Sequence, residues 1–273
     1  MSTIIPFPGR RERPSTRGEH DPVRIAYDAL APAYDAFTAD HRHDLWLPAI
    51  ERLAQRHGLA GRQVLDVACG TGKSFLPLLE RGYAVTACDL SPEMARRAAL
   101  KAPEARVHVA DMRELPVFGS FDLVTCLDDA LNYLLHGDEL HDALAGIARQ
   151  LAPGALAVWD VNTLSLVRSS FAGDWIAERG EWFLCWRGTA TPAVAAGAGV
   201  AARVDAFRRR DSTWTRPTSR HRQRHWPLRE LLRAAEAARL EVLEVLGLER
   251  SARLEPEFDE ERHSKAVFIA RRV

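Results

Sequence analysis

Between residues 63 and 160, short apolar runs alternate with longer segments of helical period. The runs cover 63–69, 84–89, 107–110, 121–127 and 155–160, and each has the length and residue types of a buried strand. A helix over 73–81 stops at Gly82. Ser91-Pro92-Glu93 supplies a hydroxyl cap and a first-position proline for the next helix, and a third runs from about 138 to 151 before Pro153-Gly154 breaks it. Strands separated by helices of this size predict a parallel sheet with right-handed crossovers.

The flanks read differently. Residues 1–20 are rich in Pro, Arg and Ser without periodicity, which predicts a disordered tail. From Val23 the chain turns helical, with Tyr27 and Tyr34 seven apart and so two turns along one face, and an amphipathic helix follows over 44–57, ended by Gly58. Past Thr163 the helical alternation gives way to three strand-like segments, 175–187, 200–210 and 213–226, with small residues over 188–199 between the first two. A helix over 227–238 and strands over 241–247 and 266–271 would complete the sheet. The expected fold is therefore α/β: a doubly wound, mostly parallel seven-stranded sheet with an antiparallel insert after strand five. Its parts would be a helical cover over 21–60, the sheet domain itself over 61–162 and 227–273, and a lid over 163–226.

The carboxyl ends of the first two strands carry the chemistry. Val64-Leu65-Asp66-Val67-Ala68-Cys69-Gly70-Thr71-Gly72 runs from a strand into a glycine turn, and the second strand ends in Asp89. Glycines there let backbone approach a ligand, and an acid after the next strand accepts from two ribose hydroxyls. Three nucleoside ligands compete for such a loop. A triphosphate is suggested by Gly72-Lys73-Ser74, but the glycine required five residues before Gly72 is Val67. A dinucleotide needs a third glycine where Phe75 stands, and Asp66 would repel its pyrophosphate. S-adenosylmethionine has no phosphate and brings an ammonium that Asp66 could help bind.

Asp66 to Gly72 resembles the D-x-A-C-G-T-G loop of the class I S-adenosylmethionine-dependent methyltransferases. The resemblance implies S-adenosyl-L-methionine as cofactor. Asp66, Ala68, Cys69, Gly70 and Gly72 would lie around its amino acid part, Asp89 on the ribose, Leu90 and Met94 on the adenine, and Asp111 with Met112 at the adenine amine. Cys126 and Leu127 would line the floor. The segment from Tyr27 to Tyr34-Asp35 resembles the N-terminal helix of small-molecule methyltransferases of bacterial secondary metabolism, among them sugar N,N-dimethyltransferases. That implies Tyr27 at the transferable methyl and Tyr34 at the cofactor carboxylate. In that group a histidine lies where Tyr133 stands here, and a phenol of unperturbed pKa ~10 is a poor base without help. Tyr133 and His221, the latter on the last strand of the insert, join Tyr27 as catalytic candidates. Asp128, Asp129, Asn132 and Trp175 are candidates for binding the acceptor.

Composition narrows the partners. The 273 residues carry no formal net charge, so no global field recruits nucleic acid or an anionic membrane, and no apolar run is long enough to span a bilayer. In the basic stretch 220–224 arginines alternate with His221 and Gln223, as on a strand with one solvated face. Lysine is confined to Lys73, Lys101 and Lys265 in an arginine-rich chain. Cys69, Cys88, Cys126 and Cys185 form no C-x-x-C pair and no metal is called for; they read as reduced residues of a cytoplasmic protein. Arg10-Arg11 has no apolar segment after it, so no export leader is expected. Five of the seven tryptophans fall between Trp175 and Trp226, which suits a ring-bearing small-molecule acceptor or a homo-oligomer formed through the insert. Methyl transfer to an amine or a hydroxyl of a small metabolite is the activity this adds up to. The alternative is a scaffold that binds the nucleoside without chemistry.

Overall fold

The computed structural model describes residues 21–273, so the expected disordered tail at 1–20 lies outside the described residues. Five parallel strands form the centre of the main sheet: β1 (Gln63–Val67), β2 (Ala84–Asp89), β3 (Arg106–Val109), β4 (Phe121–Cys126) and β5 (Leu151–Asn162). The antiparallel β11 (Leu240–Leu248), β12 (Leu254–Glu255) and β13 (Lys265–Arg272) extend it to the order β12-β11-β13-β5-β4-β1-β2-β3. The expected seven strands are present, and the two-residue β12 adds an eighth at one edge.

Strand β1 is central because Val64, Leu65 and Val67 present apolar atoms to both faces and are fully buried. On one face pack α3 (His43–Arg56), α4 (Leu76–Glu80) and α5 (Pro92–Lys101), around Trp46, Ile50, Leu78 and Ala98. On the other lie α6 (Gly137–Gln150) and α7 (Leu228–Ala237), around Leu144, Ile147, Trp226 and Leu231. Helix α5 starts as its sequence requires: Ser91 Oγ accepts from Met94 N at 3.1 Å, with Pro92 in the first turn. The break expected at Pro153-Gly154 is instead a bulge within β5. The step from Phe121 to Leu123 on β4 there opposes the longer span from Leu151 to Leu156, and Gly154 takes a φ of +77°.

Two further expectations are corrected. The segment over 175–187 is not one strand but a hairpin, β6 (Asp174–Arg179) and β7 (Trp182–Gly188), turning at Gly180 with a φ of +59°. With β8 (Gly199–Arg210), β9 (Thr213–Thr215) and β10 (Thr218–Arg224) it makes a second, antiparallel sheet. Nor do Tyr27 and Tyr34 share one helix. α1 (Pro22–Leu30) ends before a tight turn over Ala31–Ala33, which contains Pro32, and α2 (Tyr34–Phe37) follows. The rings still meet, 6.0 Å apart between centroids. Among the described residues no helix is long and apolar enough to cross a membrane.

Strand β13 locks onto β5 through Trp159 and Phe268, whose rings stack at 5.2 Å and 7° and are each 0% exposed. Phe268→Ala is expected to cost about 3–5 kcal/mol of unfolding free energy, because the cavity cannot close inside a paired sheet. Urea denaturation followed by tryptophan fluorescence checks this.

Candidate functional site

A cleft crosses the carboxyl ends of β3, β2, β1 and β4 in that spatial order. Its walls are Ala110, Asp111 and Met112 after β3, Asp89 and Leu90 after β2, Ala68 to Gly70 with Lys73 and Ser74 after β1, and Leu127, Asp128 and Tyr133 after β4. Tyr27, Tyr34 and Thr38 close it from the N-terminal side. The glycine loop turns sharply, with Ala68 at φ 58° and Gly70 at 54°, and a side chain at Gly70 would meet the Tyr34 ring at 3.3 Å. Backbone alone therefore faces the ligand there. Asp89 Oδ2 accepts from Gly70 N and Oδ1 from Ser91 N, both at 2.8 Å, which ties the loop to the end of β2. Each oxygen keeps a second lone pair, enough for two vicinal hydroxyls. Burial raises this carboxyl to about 6. Apolar walls at one end, a two-acceptor carboxylate in the middle and a side-chain-free turn at the other fit an S-adenosyl nucleoside.

Not every cofactor candidate reaches the wall. Asp66 is buried behind the loop, where its two oxygens accept from Ser74 Oγ at 2.6 Å and Thr125 Oγ1 at 2.5 Å. It positions Ser74, which does face the cleft, and burial lifts its own carboxyl to about 6. Gly72 (φ 90°) gives the Phe75 ring room to pack, since a side chain there would meet it at 2.8 Å. Met94 and Cys126 are buried one layer back. Asp111 is on the wall, but its carboxylate is already gripped by Arg113 Nε at 2.9 Å.

A second cleft, of about 550 Å³, opens between the two sheets. The insert supplies Trp175, Trp186, Arg179, His221 and Gln223, and the main sheet supplies Asp128, Asp129 and Lys265. Both clefts share Tyr27, Tyr34, Thr38, Asp128 and Tyr133 as a common wall. At this joint the three catalytic candidates converge from three segments. The Tyr27 ring lies 5.3 Å from those of Tyr133 and His221, and Tyr133 Oη lies 3.0 Å from His221 Nδ1. Ser219 Oγ sits 2.8 Å from His221 Nε2. Burial depresses His221 to about 4, so the ring is neutral near pH 7. Burial, reinforced by the Asp129 charge, pushes the Tyr133 phenol above its ordinary value, and burial likewise raises Tyr27 and Tyr34. The strand pattern explains His221: along β10, Ser219, His221 and Gln223 point inward and are buried while Arg220 and Arg222 are exposed.

The acceptor candidates divide. Trp175 faces the second cleft and stacks with Trp186 at 6.5 Å and 3°. Asp128 and Asp129 face it too, both left-handed, at φ 58° and 55°. Asn132 does not. It is fully buried, donates from Nδ2 to Arg224 O at 2.8 Å and accepts at Oδ1 from Asn162 N at 2.9 Å, so it fastens the insert to β5.

Sequence reading missed the charges beneath the joint. Asp160, at the end of β5, accepts from the amides of Asp128 and Asp129, both at 2.7 Å, and from Lys265 Nζ at 2.7 Å. Lys265 also donates to Asp129 at 3.0 Å. Burial alone would raise the Asp128 carboxyl, but His41 Nδ1 at 3.3 Å and His43 Nε2 at 3.0 Å hold it well below the usual carboxylate range. The scarcity of lysine was the available signal: Lys265 braces the joint, Lys101 holds Asp35 at 2.7 Å and Lys73 lies on the first cleft. Lys265→Met should cost about 3–5 kcal/mol in urea denaturation, since it leaves two buried carboxylates without their cation.

Residues 64–154 match the family model for the methyltransferase domain. A Geobacillus protein provisionally named a methyltransferase is 33% identical over 144 residues, 51% of this chain and 58% of that one. The dTDP-4-amino-2,3,4,6-tetradeoxy-D-glucose N,N-dimethyltransferase of Saccharopolyspora spinosa is 34% identical over 131 residues, 47% of this chain and 52% of that one. The matches thus span little more than half the length of these curated relatives. An S-adenosylmethionine-dependent methyltransferase of Clostridium acetobutylicum has the same fold, with a TM-score of 0.76 at 22% identity over 90% of this chain and 98% of that one. The glycine loop, the acid at the end of β2 and the sheet order agree with these likenesses: residues 64–154 match a methyltransferase domain, and the chain has the fold of the S-adenosylmethionine-dependent methyltransferases.

Proposed function

We propose that the protein methylates an amine of a small polar metabolite of the amino sugar class, with the cofactor in the first cleft and the acceptor in the second. In this reading residues 61–162 with 227–273 hold the cofactor, residues 21–60 roof it, and 163–226 form the acceptor lid. The observation that carries the reading is the common wall of the two clefts at Tyr27, Tyr34, Thr38, Asp128 and Tyr133. A donor and an acceptor seated on either side of it meet at one place. The dimethyltransferase name of the Saccharopolyspora spinosa relative supports a sugar amine as acceptor.

Bound S-adenosylmethionine supplies a methyl group already activated by its sulfonium, so the protein's part is alignment and exclusion of water. Tyr27, Tyr133 and His221 form a polar edge in an otherwise aromatic wall. With His221 neutral and Tyr133 holding its proton tightly, neither is a strong base near pH 7. They suit an acceptor that arrives with a free lone pair, and they orient it by hydrogen bonds. Asp128 and Asp129 also line this cleft, where a carboxylate can accept from the N–H groups of the neutral amine. The proton released on transfer leaves with the solvent of the second cleft.

Incubation with methyl-labelled cofactor and a panel of amino sugars, free and nucleotide-linked, beside matching hydroxyl compounds tests this directly. Labelling of the amines alone is expected. Labelling of hydroxyls alone would sink the amine assignment, and cofactor binding without transfer to any acceptor would leave a non-catalytic scaffold. Tyr133→Phe and His221→Ala should each lower kcat by about tenfold or more while cofactor affinity measured by calorimetry stays within about twofold. Between pH 7 and 9, kcat/KM should climb with deprotonation of the acceptor's own ammonium, because His221 at about 4 is already neutral throughout. A rise whose midpoint ignores the acceptor's pKa would point to an enzyme base.

A further inference from the structure

Lys73 is the one feature of the glycine loop that no role described so far uses. It follows Gly72 directly and faces the first cleft. Its Nζ donates to the Thr38 carbonyl at 2.6 Å and to Thr38 Oγ1 at 3.1 Å. An ammonium has three N–H donors, so one remains. Among the described residues no carboxylate lies within 4 Å of it. The nearby acids are spent elsewhere. Asp35 is held by Lys101 at 2.6 Å and by Thr71 Oγ1 at 2.5 Å, and Asp128 by the two histidines. The other cation on this cleft, Arg113, is fully engaged by Asp21, Asp111 and Glu139. Half-burial lowers the Lys73 ammonium's pKa against the pull of Asp35 and Asp128, so the site is short of one negative charge.

The geometry of the cleft says what brings that charge. Reading along the sheet, the adenine end lies at Asp111 after β3 and the ribose at Asp89 after β2. The amino acid tail then falls at the loop after β1, beside Lys73. We propose that Lys73 takes the carboxylate of the cofactor's amino acid tail and is the residue that distinguishes a nucleoside bearing that carboxylate from one lacking it. Tyr34, its phenol kept protonated by burial, donates at the same end as a neutral partner. Because Lys73 also holds Thr38, the same ammonium draws the N-terminal cover onto the tail it binds.

The proposal rests on the cofactor reading of the first cleft, and the test separates the two. Calorimetry on the full chain compares S-adenosylhomocysteine with decarboxylated S-adenosylmethionine. Lys73→Gln keeps a donor for the Thr38 carbonyl and removes the charge. It should weaken S-adenosylhomocysteine binding by about tenfold or more and leave the decarboxylated ligand within about twofold. Lys73→Arg should keep most of the preference for the carboxylate. Equal losses with both ligands would mean that Lys73 only fastens the loop to the cover and would overturn the proposal, as would no loss with either. An arginine variant that loses the preference as fully as the glutamine variant would overturn it too. If the unaltered protein binds neither nucleoside, the cofactor reading itself falls and the proposal with it.

Discussion

The Asp160 carboxylate fixes the joint on which both clefts depend. It is 0% exposed and receives two consecutive backbone amides, those of Asp128 and Asp129, from residues held in left-handed conformation. Neither aspartate would keep that geometry unaided, since a left-handed non-glycine backbone is uncommon and costs free energy. The turn it enforces sends Asp128 toward His41 and His43, and Asp129 toward Gln223 on β10 at 2.5 Å. It also delivers the short helical turn Ala130–Tyr133 that brings Tyr133 to the Tyr27 ring. A buried charge is expensive unless paired, and Lys265 on β13 supplies the pair. The antiparallel end of the main sheet thus does more than extend the core: it brings the cation that lets the carboxyl end of β4 bend.

The electrostatics of the joint limit the chemistry it can support. Burial keeps protons on the phenols and off the imidazole, so the three rings that meet at the joint, Tyr27, Tyr133 and His221, are neutral together. A neutral, hydrogen-bonding, largely aromatic surface suits displacement at a methyl carbon, where charge moves from the sulfonium toward the acceptor and the barrier responds to alignment more than to proton abstraction. The charges that remain are gathered around Lys265, whose ammonium lies 3.0 Å from Asp129 and 4.0 Å from Asp128.

Much of this was legible in the chain. The strand and helix alternation from Gln63 to Asp160, the Ser91-Pro92 start of α5 and the glycine loop with Asp89 follow local rules of propensity, capping and turn geometry, and the structure follows them. The convergence of Tyr27, Tyr133 and His221 was legible through a resemblance rather than through any local rule. What was not legible depended on pairing across long sequence separations. Asp66 looked like a ligand contact because its position follows the loop motif, but Thr125 on the neighbouring strand and Ser74 claim both its oxygens. Asn132 looked like a binding residue because it follows the end of β4, and only the docked insert shows that Arg224 and Asn162 occupy it. Asp160 and Lys265, from adjacent strands of opposite direction, gave no periodic signal at all.

The roof over the first cleft is built from the start of the described chain, yet its partners are spread along most of the length. Asp21 pairs with Arg113, Asp28 accepts from Ser91 Oγ at 2.5 Å, Arg179 holds Asp40, and α1 lies against β10 near the end of the insert. Contacts of such wide sequence separation bear a large loop-closure entropy and form late. During synthesis, residues 21–40 therefore emerge well before residues 218–224, against which α1 packs. Until residues 218–224 have left the ribosome the roof lacks the strand that α1 lies against, so the cover over the cleft is completed by the insert rather than by the sheet beneath it.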